Sequence, residues 1–177
     1  MNVLVCGGAG FIGSAFIINY IKNNPDSIIT NLDILTIGSN LENLKDLKNN
    51  PNYKFIKDNI KNESVIDNLV KNNDLIVNFA AESHVDRSIS NPKPFLETNI
   101  LGTYSILESM RKYDKQFIHV STDEIYGDAL GKSSFNENSQ VNPSNPYAAT
   151  KAASDHLVSS YSRTYGINCI TTRCTNN

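Results

Sequence analysis

The sequence predicts a doubly wound α/β domain: a parallel sheet of Rossmann type with helices on both faces. Three observations carry that expectation. Short apolar runs alternate with longer amphipathic stretches along all 177 residues, as in a buried parallel sheet whose crossovers are helices. The first run opens straight onto a glycine-rich turn. The second is followed by an acid, Asp33, 20 residues after the last of those glycines. A domain of this length buries about two-thirds of the surface its unfolded chain exposes.

The elements follow in order. Residues 3–6 read as a strand ending at Gly7-Gly8, and residues 11–23 as a helix stopped near Pro25. Residues 28–32 form a second strand. Over 40–48, Leu41, Leu44 and Leu47 recur every third residue and predict a helix laid on the sheet. A strand over 53–56 precedes a helix over 64–71, with Ser64 as its cap. Residues 75–80 are a fourth strand. Pro92 and Pro94 lead into a long helix over 95–113, and 117–121 is a fifth strand. Residues 127–145, rich in Gly, Ser, Asn and Pro, read as a loop. Pro146 suits the first turn of a helix running to about residue 165. A sixth strand covers 167–172. There is no internal repeat or linker, so one domain is expected over 1–177. The sequence stops soon after the sixth strand, where a helix or tail is more usual, and the domain is expected to be cut short.

Composition excludes several classes. Sixteen Lys plus Arg against eighteen Asp plus Glu leave a formal charge of −2. That offers no basic field for a nucleic-acid backbone. No run approaches 18 apolar residues, so no membrane span is expected. Met1 is followed at once by Asn-Val-Leu-Val-Cys rather than a charged start and apolar core, which points to the cytoplasm. Cys6, Cys169 and Cys174 are odd in number and lack metal-ligand spacing; two lie in apolar runs, so buried free thiols in a reducing compartment are expected. His119 in a strand and His156 on a helix have no metal partners in sight, and no metal site is expected.

Gly7, Gly10 and Gly13 stand at G-x-x-G-x-x-G spacing between the first strand and the first helix. Gly7 takes the turn out of the strand, Gly10 keeps a side chain away from a pyrophosphate, and Gly13 lets the helix approach the sheet. Phosphates would meet the free amides and positive dipole end of that helix, at Phe11 and Ile12. Asp33 is placed to accept both hydroxyls of an adenosine ribose. Its charge repels a 2′-phosphate, which selects NAD over NADP. Ile34, Leu35 and Thr36 continue that edge of the cofactor site. Asn59 and Ile60, after the third strand, either flank the adenine or form a polar surface loop. Phe79, Ala80, Ala81 and Ser83 follow the fourth strand, where small residues let a backbone pass close to the cofactor.

Tyr147 and Lys151 are four apart on one helix face. A free phenol titrates near 10, so acting as a base near neutrality requires a loss of roughly 3 units, about 4 kcal/mol. An adjacent ammonium and a positive nicotinamide ring can supply it. Thr122, just past the fifth strand, can hydrogen-bond a substrate hydroxyl in the same cleft. In isolation this spacing also fits a packed tyrosine beside a surface lysine; the glycine turn favours catalysis.

Gly7-x-x-Gly10-x-x-Gly13 with Tyr147-x-x-x-Lys151 resembles the extended short-chain dehydrogenase/reductases. The runs 121–127 (Ser-Thr-Asp-Glu-Ile-Tyr-Gly) and 80–89 (Ala-Ala-Glu-Ser-His-Val-Asp-Arg-Ser-Ile), and the terminal Arg-Cys-Thr-Asn-Asn of 173–177, are similar to the dTDP-glucose 4,6-dehydratase family. The Thr122-Asp123-Glu124 triplet is the most discriminating part, because related epimerases usually lack the acid pair. The resemblance implies a tightly held NAD and a nucleotide-sugar substrate, with dTDP-glucose favoured. It implies Tyr147 as base for the C4 hydroxyl, Glu124 as base at C5, and Asp123 as acid toward the departing C6 hydroxyl. Such a pair needs separated pKa values, which like-charge repulsion and burial can produce. It also implies substrate contacts at Ser83 and Asn176 and NAD contacts at Thr98 and Asn177, each of which also fits a loop or cap hydrogen-bonder. His84 reads as structural, and Asp86 and Arg87 as ion-pairing with each other or a neighbour. The resemblance implies that family members continue into a second, sugar-gripping part, which these 177 residues are expected to lack. Lys57-Asp58-Asn59-Ile60 departs from the family's usual Gly-Asp-Ile, and Cys6 stands where threonine is common. The superfamily commonly dimerises through the two long helices. A homodimer is expected from a second apolar face formed by Ala148, Ala152 and Leu157 beside Ile100, Tyr104 and Leu107.

Overall fold

A computed structural model describes residues 1–129, 131 and 134–175. Six parallel strands form one sheet: β1 (Asn2–Cys6), β2 (Ile28–Asp33), β3 (Tyr53–Lys57), β4 (Leu75–Asn78), β5 (Gln116–Thr122) and β6 (Asn168–Cys174), in the order β3-β2-β1-β4-β5-β6. The order reverses between β1 and β4, so a crevice opens at their carboxyl ends. Register aligns those ends: Cys6 pairs with Leu32 and with Asn78, Asn78 with His119, and Thr122 with Cys174.

Alternation along β1 divides the core. Leu4 and Cys6 face one layer with Ile66, Ile106, Leu107 and Val158; Val3 and Val5 face the other with Ile17, Ile21 and Leu44. The first layer is covered by α2 (Glu63–Lys71), α5 (Thr103–Met110) and α6 (Pro146–Tyr165), the second by α1 (Phe11–Asn23) and the turn Leu41–Leu47.

Several local expectations change. Leu41–Leu47 is a 3-10 helix, not an α-helix. A three-residue repeat of leucines matches its 3.0 residues per turn. The residue preceding α2 is Asn62, while Ser64 lies inside the helix and donates to the Asn62 side chain. α3 (Val85–Ser90) was not anticipated. The long helix starts as α4 (Lys93–Phe95), passes through a π-helical segment (Leu96–Gly102) and ends with α5 at Met110. Only Cys6 of the three free thiols is fully buried; burial, with the Asp33 charge second, pushes it up to about 12. Cys169 is half-buried and Cys174 exposed. The expected second helix face is also revised. Ala148, Ala152 and Leu107 are consumed by the chain's own core, and the exposed apolar side chains nearby are Leu96, Leu101 and Tyr104.

Candidate active site

The three glycines of the opening turn have different physical reasons. Gly7 has φ +78°, and a Cβ there would lie 2.5 Å from the Ala80 nitrogen. It is required by the turn and by the exit of β4. A Cβ on Gly13 would collide with the Gly7 carbonyl oxygen. Gly13 therefore lets α1 approach the turn itself, rather than the sheet. A Cβ on Gly10 would meet only the Gly7 oxygen, at an ordinary 3.4 Å. Nothing among the described residues demands glycine there, and the space beside it is open. The first-turn amides of α1 have no intrahelical acceptors, and their residues, Phe11, Ile12 and Gly13, border the same open space.

Asp33 ends β2 with its carboxylate already oriented. The Ala9 amide donates to Oδ2 at 3.0 Å, and the Leu35 amide to Oδ1 at 2.8 Å. Leu35 has φ +61°, a left-handed conformation that the Asp33 bond helps to hold.

On the other side of the crevice, Thr122 caps the 3-10 turn Asp123–Tyr126, accepting from the Glu124 amide at 3.3 Å. Tyr147 lies in the first turn of α6. Asn145 Oδ1 caps that helix by accepting from the Ala148 amide at 2.8 Å, and Asn145 Nδ2 donates to Glu124 Oε2 at 3.3 Å. One asparagine thus joins the Glu124 carboxylate to the helix of Tyr147. The Tyr147 amide donates to Ser88 Oγ at 3.0 Å. Asn99, in the π-helical segment, accepts from the Glu82 amide at 2.9 Å. It donates to the Glu82 carbonyl at 3.0 Å and to Thr150 Oγ1 at 2.9 Å. The loop after β4 is thereby tied to α6.

Lys151 is buried and donates from Nζ to the Val120 carbonyl at 2.6 Å. Burial lowers its pKa to about 8, against the opposing charge of Asp155. Burial also pushes the Tyr147 phenol up; the Thr122 hydroxyl lowers it and the Glu124 and Asp123 charges raise it further. The sequence reading draws on the lysine and the nicotinamide ring together; in the chain alone burial and the two acids outweigh any lowering. There the phenol stays protonated, and added positive charge must shift it. His119 beneath is held neutral by burial and by the Lys151 charge. Its ring nitrogens lie 3.5 Å from Asn78 Nδ2 and 3.3 Å from Ser154 Oγ. Arg87 pairs with Glu82 at 3.3 Å, not with Asp86.

A single cleft of about 570 Å³ collects these groups. Gly7, Gly10, Phe11, Ile12, Gly13, Asp33, Ile34, Thr36, Asn59, Ile60, Phe79, Ala80, Ala81, Ser83 and Thr98 line it together with Thr122, Glu124, Tyr147 and Lys151. Leu35 and Asp123 do not border it, although the Asp123 charge reaches the Tyr147 phenol. Asn176 and Asn177 lie outside the described residues. The positioning groups Asn99, Asn145, Ser88 and the Val120 carbonyl were not anticipated. The one readable signal was Asn145, an Asn before Pro146 at a helix start. Ser121 Oγ, buried with no partner among the described residues, also borders the cleft. An orphaned hydroxyl, the Gly10 space and an oriented carboxylate fit a bound dinucleotide. Among the described residues, no group of three or more His, Cys, Asp or Glu could hold a metal, and no helix is long and apolar enough to cross a membrane.

The GDP-mannose 4,6 dehydratase family model matches residues 4–177. The chain belongs to this family. Within it the chain is a dTDP-glucose 4,6-dehydratase-like short-chain dehydrogenase/reductase. It is 46% identical to the dTDP-glucose 4,6-dehydratase of Escherichia coli, over 100% of this chain and 54% of that protein. The dTDP-glucose 4,6-dehydratase of Streptomyces venezuelae, solved with NAD bound, superposes with a TM-score of 0.94 at 40% identity, covering 98% of this chain and 55% of that one. The enzyme from Bacillus anthracis in complex with NAD gives 0.92 at 39% identity, covering 100% and 55%. The chain thus spans about half the length of the relatives it matches.

Proposed function

We propose that this chain is the NAD-binding part, residues 1–177, of a cytoplasmic dTDP-glucose 4,6-dehydratase that yields the 4-keto-6-deoxy sugar. The observation that carries this reading is the single cleft bordered by the glycine turn, Asp33, Thr122, Glu124, Tyr147 and Lys151. NAD, when bound, supplies a hydride acceptor and donor and a positive ring near the phenol. The first-turn amides of α1 hold its pyrophosphate, and Asp33 its adenosine ribose. With that charge in place, Tyr147 takes the proton from the C4 hydroxyl while Thr122 orients it. The C4 ketone acidifies C5–H, and Glu124, held in place by Asn145, takes that proton. Asp123 lies behind the cleft wall with its charge reaching the Tyr147 phenol, so on substrate binding its side chain must turn into the cleft to donate to the C6 hydroxyl, which leaves as water. One such acid–base event contributes about 10²–10⁴-fold, and a poor leaving group needs two. Two molecules are proposed to associate through the helix surface that exposes Leu101 and Tyr104.

The test is turnover of dTDP-glucose by the enzyme carrying this chain, read by the alkaline absorbance of the keto product. Product should form with no net release of reduced cofactor. Glu124→Gln should stall after oxidation with reduced cofactor persisting; normal turnover would refute its role. Other nucleotide sugars, run alongside, separate this reading from an epimerase or decarboxylase. Coverage of only 54% of the Escherichia coli relative favours a second reading for these 177 residues alone, NAD binding without turnover.

A further inference from the structure

Gly102 ends the π-helical segment and is buried, yet its backbone is ordinary right-handed helix, φ −63° and ψ −43°. Glycine weakens a helix relative to alanine, so backbone freedom does not explain it. Space does. A Cβ at this position would collide with Cδ1 of Ile60 and lie 2.6 Å from its Cγ1.

Ile60 has two sides. One packs in the core with Leu4, Leu32, Ile66 and Ile106. The other borders the cleft beside Asn59 and Asp33, while Gly102 does not border it. Four residues before Gly102, Thr98 reaches the same cleft. Interiors are close-packed, so an Ile60 side chain displaced from Gly102 has the cleft as its available volume.

We infer that Gly102 is a positioning residue for the cofactor: its missing side chain lets Ile60 stand back and leaves room for a purine at the Asp33 end of the cleft. This rests on the reading of the cleft as an NAD site. NAD never touches Gly102; the effect passes through Ile60.

The test is a double-substitution cycle read by calorimetric titration with NAD and with AMP, which carries the adenosine half without the nicotinamide. Gly102→Ala should weaken both about tenfold, the usual scale of overpacking. In an Ile60→Ala background, which removes the colliding atoms, the same change should cost less than about twofold. A simple loss of helix stability would not be suppressed in this way. Equal losses in both backgrounds, with NAD still bound, overturn this inference alone. An unsubstituted chain that takes up no NAD overturns the reading of the cleft and this inference with it. Should the melting curve show Gly102→Ala unfolded, the unsubstituted chain decides. Its Ile60 δ1 methyl resonance should cross-relax with the Gly102 α protons and shift on adding AMP. A methyl indifferent to AMP overturns the inference.

Discussion

Gly7 and Gly13 sit where they do because of backbone atoms in their own turn or in the neighbouring β4 exit. Tyr147 and Lys151, across the same cleft, are anchored by Ser88, 59 residues away, and by the Val120 carbonyl, 31 residues away. The glycine turn is built from steric demands on backbone, within the turn for Gly13 and against Ala80 for Gly7, and the catalytic side from hydrogen bonds between distant segments. A spacing motif can therefore report the first region, while the second exists only once the fold has brought distant segments together. The two sides should also fail differently. Changes in the turn act on folding or on cofactor affinity, whereas changes on α6 act on chemistry with the cofactor still bound.

The largest expected effect lies on the catalytic side. Tyr147→Phe should lower turnover by about 10³-fold or more, while NAD affinity stays within about threefold. A parallel collapse of NAD binding would show that the two sides are not separable. The next test divides the turn itself. Gly7→Ala places a Cβ 2.5 Å from the Ala80 nitrogen at φ +78°. It should destabilise by about 3 kcal/mol or more. Gly10→Ala should cost under about 1 kcal/mol in denaturant melts yet weaken NAD at least about tenfold. Similar stability losses at both positions would remove the argument that Gly10 is kept bare for a ligand.

A smaller effect comes from Lys151. Its folded pKa of about 8 lies below its ordinary 10.5. Between those values the unfolded chain binds more protons, so the stability that the buried ammonium takes away is regained as pH rises from about 8 to about 10.5. Lys151→Met should flatten that rise. It should also stabilise the chain at pH 7 by about 1–2 kcal/mol, after the loss of the Val120 hydrogen bond. Thermal melts from pH 7 to 10 measure both. A variant less stable than the unsubstituted chain at pH 7 would show that the lysine serves the fold rather than the site.

The strands and the glycine turn were legible because buried parallel strands are continuous apolar runs and tight turns demand glycine. α3 was not, since Val85–Ser90 offers only Val85 and Ile89 as apolar residues, too short for a period. The Leu41–Leu47 segment was legible as a helix on the sheet but not in its type, because the strict three-residue leucine interval was not weighed. The π-helical segment left no trace: the bonds its Asn99 makes, to Glu82 and Thr150, exist only after folding. The residues of the site were readable as types. The state of Tyr147 was not: its protonation depends on burial and on Asp123 and Glu124, which α6 faces only after folding.

Calorimetric titration of the 177-residue chain with NAD and NADP tests the central claim most directly, with Asp33→Asn run beside it. One NAD should bind per chain, NADP at least about tenfold more weakly, and the preference should shrink when the Asp33 charge is removed. No binding of either dinucleotide, or equal binding that ignores Asp33, would contradict it.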